Sequence, residues 1–248
     1  MSEDRKKAIN IIPIILWSVF SIFFLLKMIL HCKMFHYGFY LTLPAAVTMV
    51  CVLMWHLPQW FDTKYSGGGI FRFVMVIVIV IISLKFIAVS NTYYQAKTFS
   101  VGGGSDRIVT YEPRYDSRSL AFSQTLAWIK ANVRDEETLI VLPEGIMINY
   151  LSRLRNPTPY INFMPPEMQI FGEDVILDAI KRNSPDYFVI VSRDTTEYGY
   201  ELFGRDARYG QKIMNWVNQC YHRVVLFGEE PLVRDDGFSI KIMKRGNG

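Results

Sequence analysis

Apolar positions in this chain fall into two regimes. Up to about residue 90 they form three long runs almost free of charge, and beyond that they recur at short range, every second residue or at helical spacing. Ile9 to Leu26 is uncharged and long enough to cross a hydrocarbon core, with Arg5, Lys6 and Lys7 before it and Lys27 able to snorkel from its far end. Tyr37 to Trp60 is a second run, with Pro44 in its interior and Trp55 and Trp60 toward one end, where amphipathic rings favour the interface. Phe71 to Val89 is a third; its centre, Val74 to Leu84, is almost purely Val and Ile, and Lys85 lies near its exit. The pattern predicts transmembrane helices over about residues 9–29, 37–60 and 71–89. A signal peptide is the competing reading of the first run, but that run exceeds a usual h-region and no small-residue cleavage site follows it.

Residues 1–90 therefore read as a membrane region, 91–105 as a glycine-rich linker containing Gly102 to Gly104, and 106–248 as one α/β domain. Gly67 to Gly69, between the second and third runs, reads as a similar flexible connector. With the basic N-terminus inside, the loop holding Lys64 and Arg72 is also inside, and three spans place the domain outside. No acidic residue falls within a span, which argues against a proton pump or ion carrier. His31, His36 and His56 near the span ends lack a helical i, i+4 partner and read as interfacial rather than metal-binding.

In the second half, strand and helix patterns alternate, which predicts a mainly parallel sheet covered by helices and closed by a C-terminal antiparallel strand pair. The expected elements begin with a strand Arg107–Tyr111 and a helix capped by Asp116 or Ser117, burying Phe122, Leu126, Ile129 and Val133. A strand Thr138–Leu142, a helix Ile146–Leu154 and an irregular stretch through Pro165 and Pro166 come next. A helix Glu173–Asn183, a strand Tyr187–Val191 and a helix Gly210–Gln219 follow. The terminal pair is Arg223–Phe227 with Phe238–Met243, turned by Asp235, Asp236 and Gly237.

Charge narrows the partners. The net +4 divides into +5 for residues 1–90 and −1 for the remainder, so the soluble domain lacks the basic excess that nucleic acid would require. Of three cysteines, Cys32 and Cys51 lie in or beside apolar runs, and Cys220 reads as a buried structural thiol. No disulfide framework, metal set or cofactor motif can be drawn: the chain has no GxSxG elbow, HExxH, paired CxxC, phosphate-binding loop or complete dinucleotide fingerprint.

Open parallel sheets bind ligands beyond the carboxyl ends of their strands, so the loops after Leu142 and Val191 hold the candidate binding residues: Glu144, Asn156, Arg193 and Asp194. An acid and an arginine suit a sugar hydroxyl or a phosphate. Each also has a structural reading. Glu144 favours the positive end of the next helix, and adjacent Arg193 and Asp194 can pair with one another.

The string FHYGFYLTLPAAVTMVCVLMWHLPQW (Phe35–Trp60) resembles the late membrane region of bacterial GT-C type glycosyltransferases of the protein mannosyltransferase, or glycosyltransferase family 39, group. LIVLPEG (Leu139–Gly145), LRNPTPY (Leu154–Tyr160), PDYFVIV (Pro185–Val191) and the Trp216–Tyr221 region are similar to the outward domain in which such enzymes end. The resemblance implies a place in the bacterial cytoplasmic (inner) membrane and a polyprenyl-phosphate sugar donor. It also implies that the family's catalytic acids, which lie in a first outward loop, are absent: Leu30–Phe35 holds no Asp or Glu. The chain then corresponds to the C-terminal portion of such an enzyme, assisting substrate or acceptor binding beside a separate catalytic membrane subunit. The alternative is a non-catalytic membrane-anchored binding or scaffold module.

Overall fold

A computed structural model of the chain describes residues 3–27, 39–228, 230 and 237–246, which divide into two compact units, Met1–Thr92 and Tyr93–Gly248. The loop Leu30–Phe35, His31, Cys32, His36 and the turn residues Asp235 and Asp236 lie outside the described residues.

The first unit is helical throughout. α1 spans Glu3–Lys27; α2 (Phe39–Cys51), a π-helical turn (Val52–His56) and α3 (Leu57–Tyr65) follow one another without a break, and α4 spans Gly68–Gln95. Two stretches, Tyr40–Tyr65 and Gly68–Gln95, are long and apolar enough to cross a membrane, and a third, Ile12–Lys27, is shorter. The apolar pattern predicts three spans; two helices are long and apolar enough to cross a membrane, and the shorter apolar stretch Ile12–Lys27 lies within the 25-residue α1. In α4 apolar side chains are exposed on every side, from Ile70 and Phe73 through Val80 and Ile81 to Phe86 and Ile87, as expected of a helix solvated by lipid.

Local chemistry accounts for the π-helical turn. In a regular helix Met54 would accept from the backbone N–H of residue 58, but that residue is Pro58 and has none to give. The helix widens instead, with Leu57 N–H reaching back to the Val52 carbonyl. Arg72 Nε on α4 then donates to the freed Met54 oxygen at 3.0 Å. α1 packs on α2, where Ser21 and Thr48 hydroxyls meet at 3.0 Å and each also bonds to its own helix backbone.

The Gly67–Gly69 connector is a closed corner and not a flexible tether. Ser66 adopts a left-handed conformation, and Asp62 Oδ1 accepts the Gly68 N–H at 2.8 Å at the start of α4. A Cβ at Gly68 would sit 2.1 Å from the Pro58 carbonyl oxygen, so only glycine fits there.

The second unit holds two sheets. β1 (Lys97–Val101) and β2 (Ile108–Tyr111) form an antiparallel ribbon of their own. The stretch expected to be a linker therefore contributes a strand, and the strand expected to open the main sheet pairs with it instead. Alternation alone names no partner for a strand. The main sheet has the order β3-β4-β6-β5, with β3 Leu139–Leu142, β4 Tyr187–Val191, β5 Tyr221–Phe227 and β6 Ile240–Arg245. It is mixed, not mainly parallel: β3 and β4 run parallel, while β6 enters between β4 and β5 antiparallel to both. The C-terminal antiparallel pair is present, and its inner strand is what changes the character of the sheet.

Period-two alternation on these strands builds two cores. Ile140, Leu142, Phe188, Ile190 and Met243 face α7 (Pro165–Phe171), α8 (Glu173–Arg182) and α9 (Gln211–Cys220). Leu139, Val141, Tyr187, Val189, Val191, Ile240 and Ile242 face α5 (Ser117–Asn132) and α6 (Ile146–Ser152). Every residue of β3 and β4 is buried because both faces are covered. α7 occupies a stretch expected to be irregular; Pro165 and Pro166 stand in its first turn, where a missing N–H costs nothing. Cys220, expected to be buried, is exposed at the end of α9, because the helix turns Ile213, Met214 and Val217 to the core instead.

Candidate functional site

The parallel pair β3 and β4 ends side by side, Leu142 opposite Ile190, and the loops that leave these ends bring distant charges together. Glu144 follows β3 by two residues and Arg193 follows β4 by two. Arg193 Nε stands 2.8 Å from Glu144 Oε2, and Arg193 Nη2 stands 3.9 Å from Oε1 of Glu197, four residues on in the same loop. The pair is close but poorly aimed: the buried Nε–H has no hydrogen-bond partner. Both side chains remain partly open, 38% exposed for Arg193 and 48% for Glu144, so the ion pair is reachable from solvent.

A second group of residues adjoins this pair. Asn162 Nδ2 donates to Glu167 Oε1 at 2.9 Å, which leaves Asn162 Oδ1 and Glu167 Oε2 buried without partners. Tyr209 is buried with its hydroxyl donating to the Phe163 carbonyl at 3.1 Å, and burial pushes its phenol far above the ordinary range. The fields of Glu144, Glu167, Arg193 and Tyr198 all reach it. Tyr198 is also pushed up, first by burial and then by Glu197, with Arg193 opposing and Glu144 and Glu167 adding to the rise. Three carboxylates, two phenols and one guanidinium thus share a neighbourhood at the carboxyl ends of the parallel strands.

Of the four residues singled out in the sequence, Glu144 and Arg193 meet, and Asn156 and Asp194 serve their own loops. Asn156 Nδ2 donates to the Tyr160 carbonyl, while its Oδ1 accepts from both the backbone and the hydroxyl of Thr158. Asp194 Oδ1 accepts the Thr196 N–H at 2.9 Å and the Thr196 hydroxyl at 2.6 Å, closing a turn before the single 3₁₀ turn Thr196–Tyr198. Sequence reasoning missed Asn162, Glu167, Glu197, Tyr198 and Tyr209. Glu197 and Tyr198 lie in the loop after β4 to which the strand-end rule points, and Glu197 is four residues beyond Arg193. Asn162 and Glu167 had no local cue, since the α7 segment reads as irregular.

Acceptors outnumber donors here, and the formal charges of Glu144, Glu167, Glu197 and Arg193 sum to −2. A phosphate would meet repulsion from three carboxylates and help from one guanidinium. A hydroxyl-bearing neutral ligand avoids that repulsion, since its O–H groups can donate to carboxylates and its oxygens can accept from a guanidinium. Among the described residues no cluster of His, Cys, Asp and Glu is arranged to hold a metal ion. No family model matches the sequence, and no curated protein or solved structure matches it either.

Proposed function

We propose that this protein is the non-catalytic, membrane-anchored part of a lipid-linked sugar-transfer system, in which its α/β domain lies outside the bacterial inner membrane and holds a hydroxyl-rich acceptor. The observation that carries the reading is the solvent-reachable Glu144–Arg193 pair with Glu197 beside it, at the strand ends where open α/β sheets bind ligands. The resemblance to GT-C glycosyltransferases supplies the setting, namely a polyprenyl-phosphate sugar donor and a separate catalytic membrane subunit. The two long apolar helices support the anchoring. The resemblance places the catalytic acids in an outward loop, and Leu30–Phe35 holds no Asp or Glu, so the transfer step is assigned to the partner subunit.

The test uses the full chain in lipid nanodiscs, titrated with neutral oligosaccharides, amino sugars and inorganic phosphate while its tryptophan fluorescence is followed. Saccharide binding that disappears in Arg193→Ala, with no response to phosphate, is the expected result. Preference for phosphate would overturn the assignment of the site, and sugar transfer from a polyprenyl-phosphate donor by the chain alone would overturn the non-catalytic reading. Silence across the panel would favour the second reading, a membrane-anchored scaffold, for which the exposed Ile161, Ile170 and Val175 offer an apolar surface.

A further inference from the structure

A two-stranded ribbon is marginal in water unless something covers it, and β1–β2 is such a ribbon. Ile108 and Val109 are neighbours on β2 and therefore point to opposite faces, yet they are 39% and 40% exposed, although Val101 opposite Ile108 is buried. Beside it lies an apolar groove of about 530 Å³, whose lining includes Val101, Ile108, Val109, Phe122 and Met147. Only Ala96 separates the last residue of α4, Gln95, from the first of β1. Tyr93 and Tyr94 at the end of α4 are exposed, as is Tyr115 just beyond the ribbon, and tyrosine is the residue type that collects at the boundary between hydrocarbon and water.

Charge follows the same line. Each acid of this segment already has an arginine: Glu112 with Arg114 at 2.9 Å, Asp116 with Arg118 at 2.7 Å, and Asp106 with Arg153. Lys97 and Arg107, at the start of β1 and just before β2, have no acidic partner among the described residues; Lys97 Nζ lies 5.5 Å from the centre of the Tyr111 ring. The ribbon thus shows one exposed apolar residue on each face, Ile108 and Val109, and carries a cation without an acidic partner at each end. A protein partner would cover one face. A lipid interface surrounds an edge-on ribbon on both, and its phosphates match the two cations.

We propose that the β1–β2 ribbon is a membrane-contacting element, seated at headgroup level in the bilayer that α4 crosses, with Ile108 and Val109 reaching the acyl boundary and Lys97 and Arg107 on lipid phosphates. This rests on α4 being a span and is independent of the saccharide reading. The experiment places single cysteines in the full chain, with Cys32, Cys51 and Cys220 changed to Ser. Ile108→Cys and Val109→Cys are compared with Ile170→Cys, an apolar α7 residue that is 74% exposed. Each is labelled with a polarity-sensitive fluorophore in nanodiscs of phosphatidylcholine and phosphatidylglycerol.

Nitroxide attached high on the lipid acyl chain is expected to quench the labels at 108 and 109 several-fold more than the label at 170, and aqueous iodide to show the reverse order. The double variant K97Q/R107Q, which leaves the apolar packing untouched, is expected to reduce the lipid quenching. Equal quenching at all three positions, ready access of iodide to 108 and 109, or shielding of those labels from both quenchers by a second copy or another protein would each overturn the proposal. Undiminished lipid quenching in K97Q/R107Q would overturn the assignment of those cations to headgroups.

Discussion

Gly68 donates its backbone N–H to the Asp62 carboxylate across the corner between α3 and α4, at 2.8 Å, and has no room for a side chain where it does so. The carboxylate supplies a partner to an N–H that the helix start would leave orphaned and sits at its positive dipole end. Gly69, one residue on, has nothing within 4 Å of the place its Cβ would take. Gly68→Ala is therefore expected to open the corner and cost more than about 3 kcal/mol, since the obstacle is backbone oxygen and not a movable side chain. Gly69→Ala is expected to be neutral or to stabilise by up to about 1 kcal/mol, from reduced backbone entropy in a helix. Thermal unfolding of the two variants in the same detergent checks the contrast; equal losses would refute the packing argument.

The contact between Arg72 and Met54 depends on Pro58, and that dependence is measurable. Arg72→Ala removes a charged donor from a carbonyl that Pro58 leaves unpaired, an expected loss of about 1.5–3 kcal/mol. Pro58→Ala restores an N–H at residue 58, which can pair with Met54 and let the π-helical turn revert to α-helix. In that background Arg72→Ala is expected to cost little. A double-mutant cycle on detergent stability should return a coupling of about 1 kcal/mol or more, and additivity of the two losses would show that the guanidinium and the proline act independently.

The sequence made β3 and β4 legible because strands covered on both faces must be uniformly apolar, and it made α5 legible because Asp116 caps it and its apolar positions recur at helical spacing. Pairing was not legible. Nothing local to Ile240–Arg245 says that it enters between β4 and β5, and that one insertion turns a parallel expectation into a mixed sheet. The same limit divides the site. Glu144 and Arg193 could be found because a topological rule points to strand ends; Asn162, Glu167 and Tyr209 reach the same place through the packing of α7 and of the long loop after β4, which carries no periodic cue. Asn156 and Asp194 show the converse, polar residues in the right loops that hydrogen-bond within those loops.

Asp116 gives a pH dependence of known sign. Its carboxylate is held below the usual range chiefly by the side-chain hydrogen bonds from Arg118, then by the Arg118 backbone N–H at 3.0 Å, against some desolvation. A lowered folded-state pKa means stability that is present above the unfolded value of about 3.9 and is lost as pH falls through the folded value. The Arg118 side chain is largely exposed, so screening keeps the contribution under about 1 kcal/mol. Asp116→Asn keeps a capping oxygen and removes the charge. The wild-type advantage over this variant is expected at pH 7 and to shrink as pH falls below the unfolded value of about 3.9, as followed by thermal unfolding of the full chain; an advantage that grows on acidification would reverse the sign and refute the pairing.

The two kinds of polar residue at the strand ends separate stability from binding. Asn156 closes its loop with hydrogen bonds to Tyr160 and to the backbone and hydroxyl of Thr158, so Asn156→Ala leaves several partly buried groups unpaired and is expected to cost about 2 kcal/mol. It touches none of the orphan atoms, and saccharide affinity at a temperature well below unfolding is expected to be unchanged. Arg193→Ala behaves oppositely. Its ion pair with Glu144 is solvent-reachable and badly aimed, which limits the stability it supplies to about 1 kcal/mol or less. Its partly exposed guanidinium, however, is the donor that a ligand oxygen would use, and its loss makes the site more repulsive still to any anion. The expected result is a near-native unfolding temperature with saccharide binding lost. If instead Arg193→Ala unfolds the domain while Asn156→Ala abolishes binding, the roles are exchanged and the ligand belongs in the Asn156 loop.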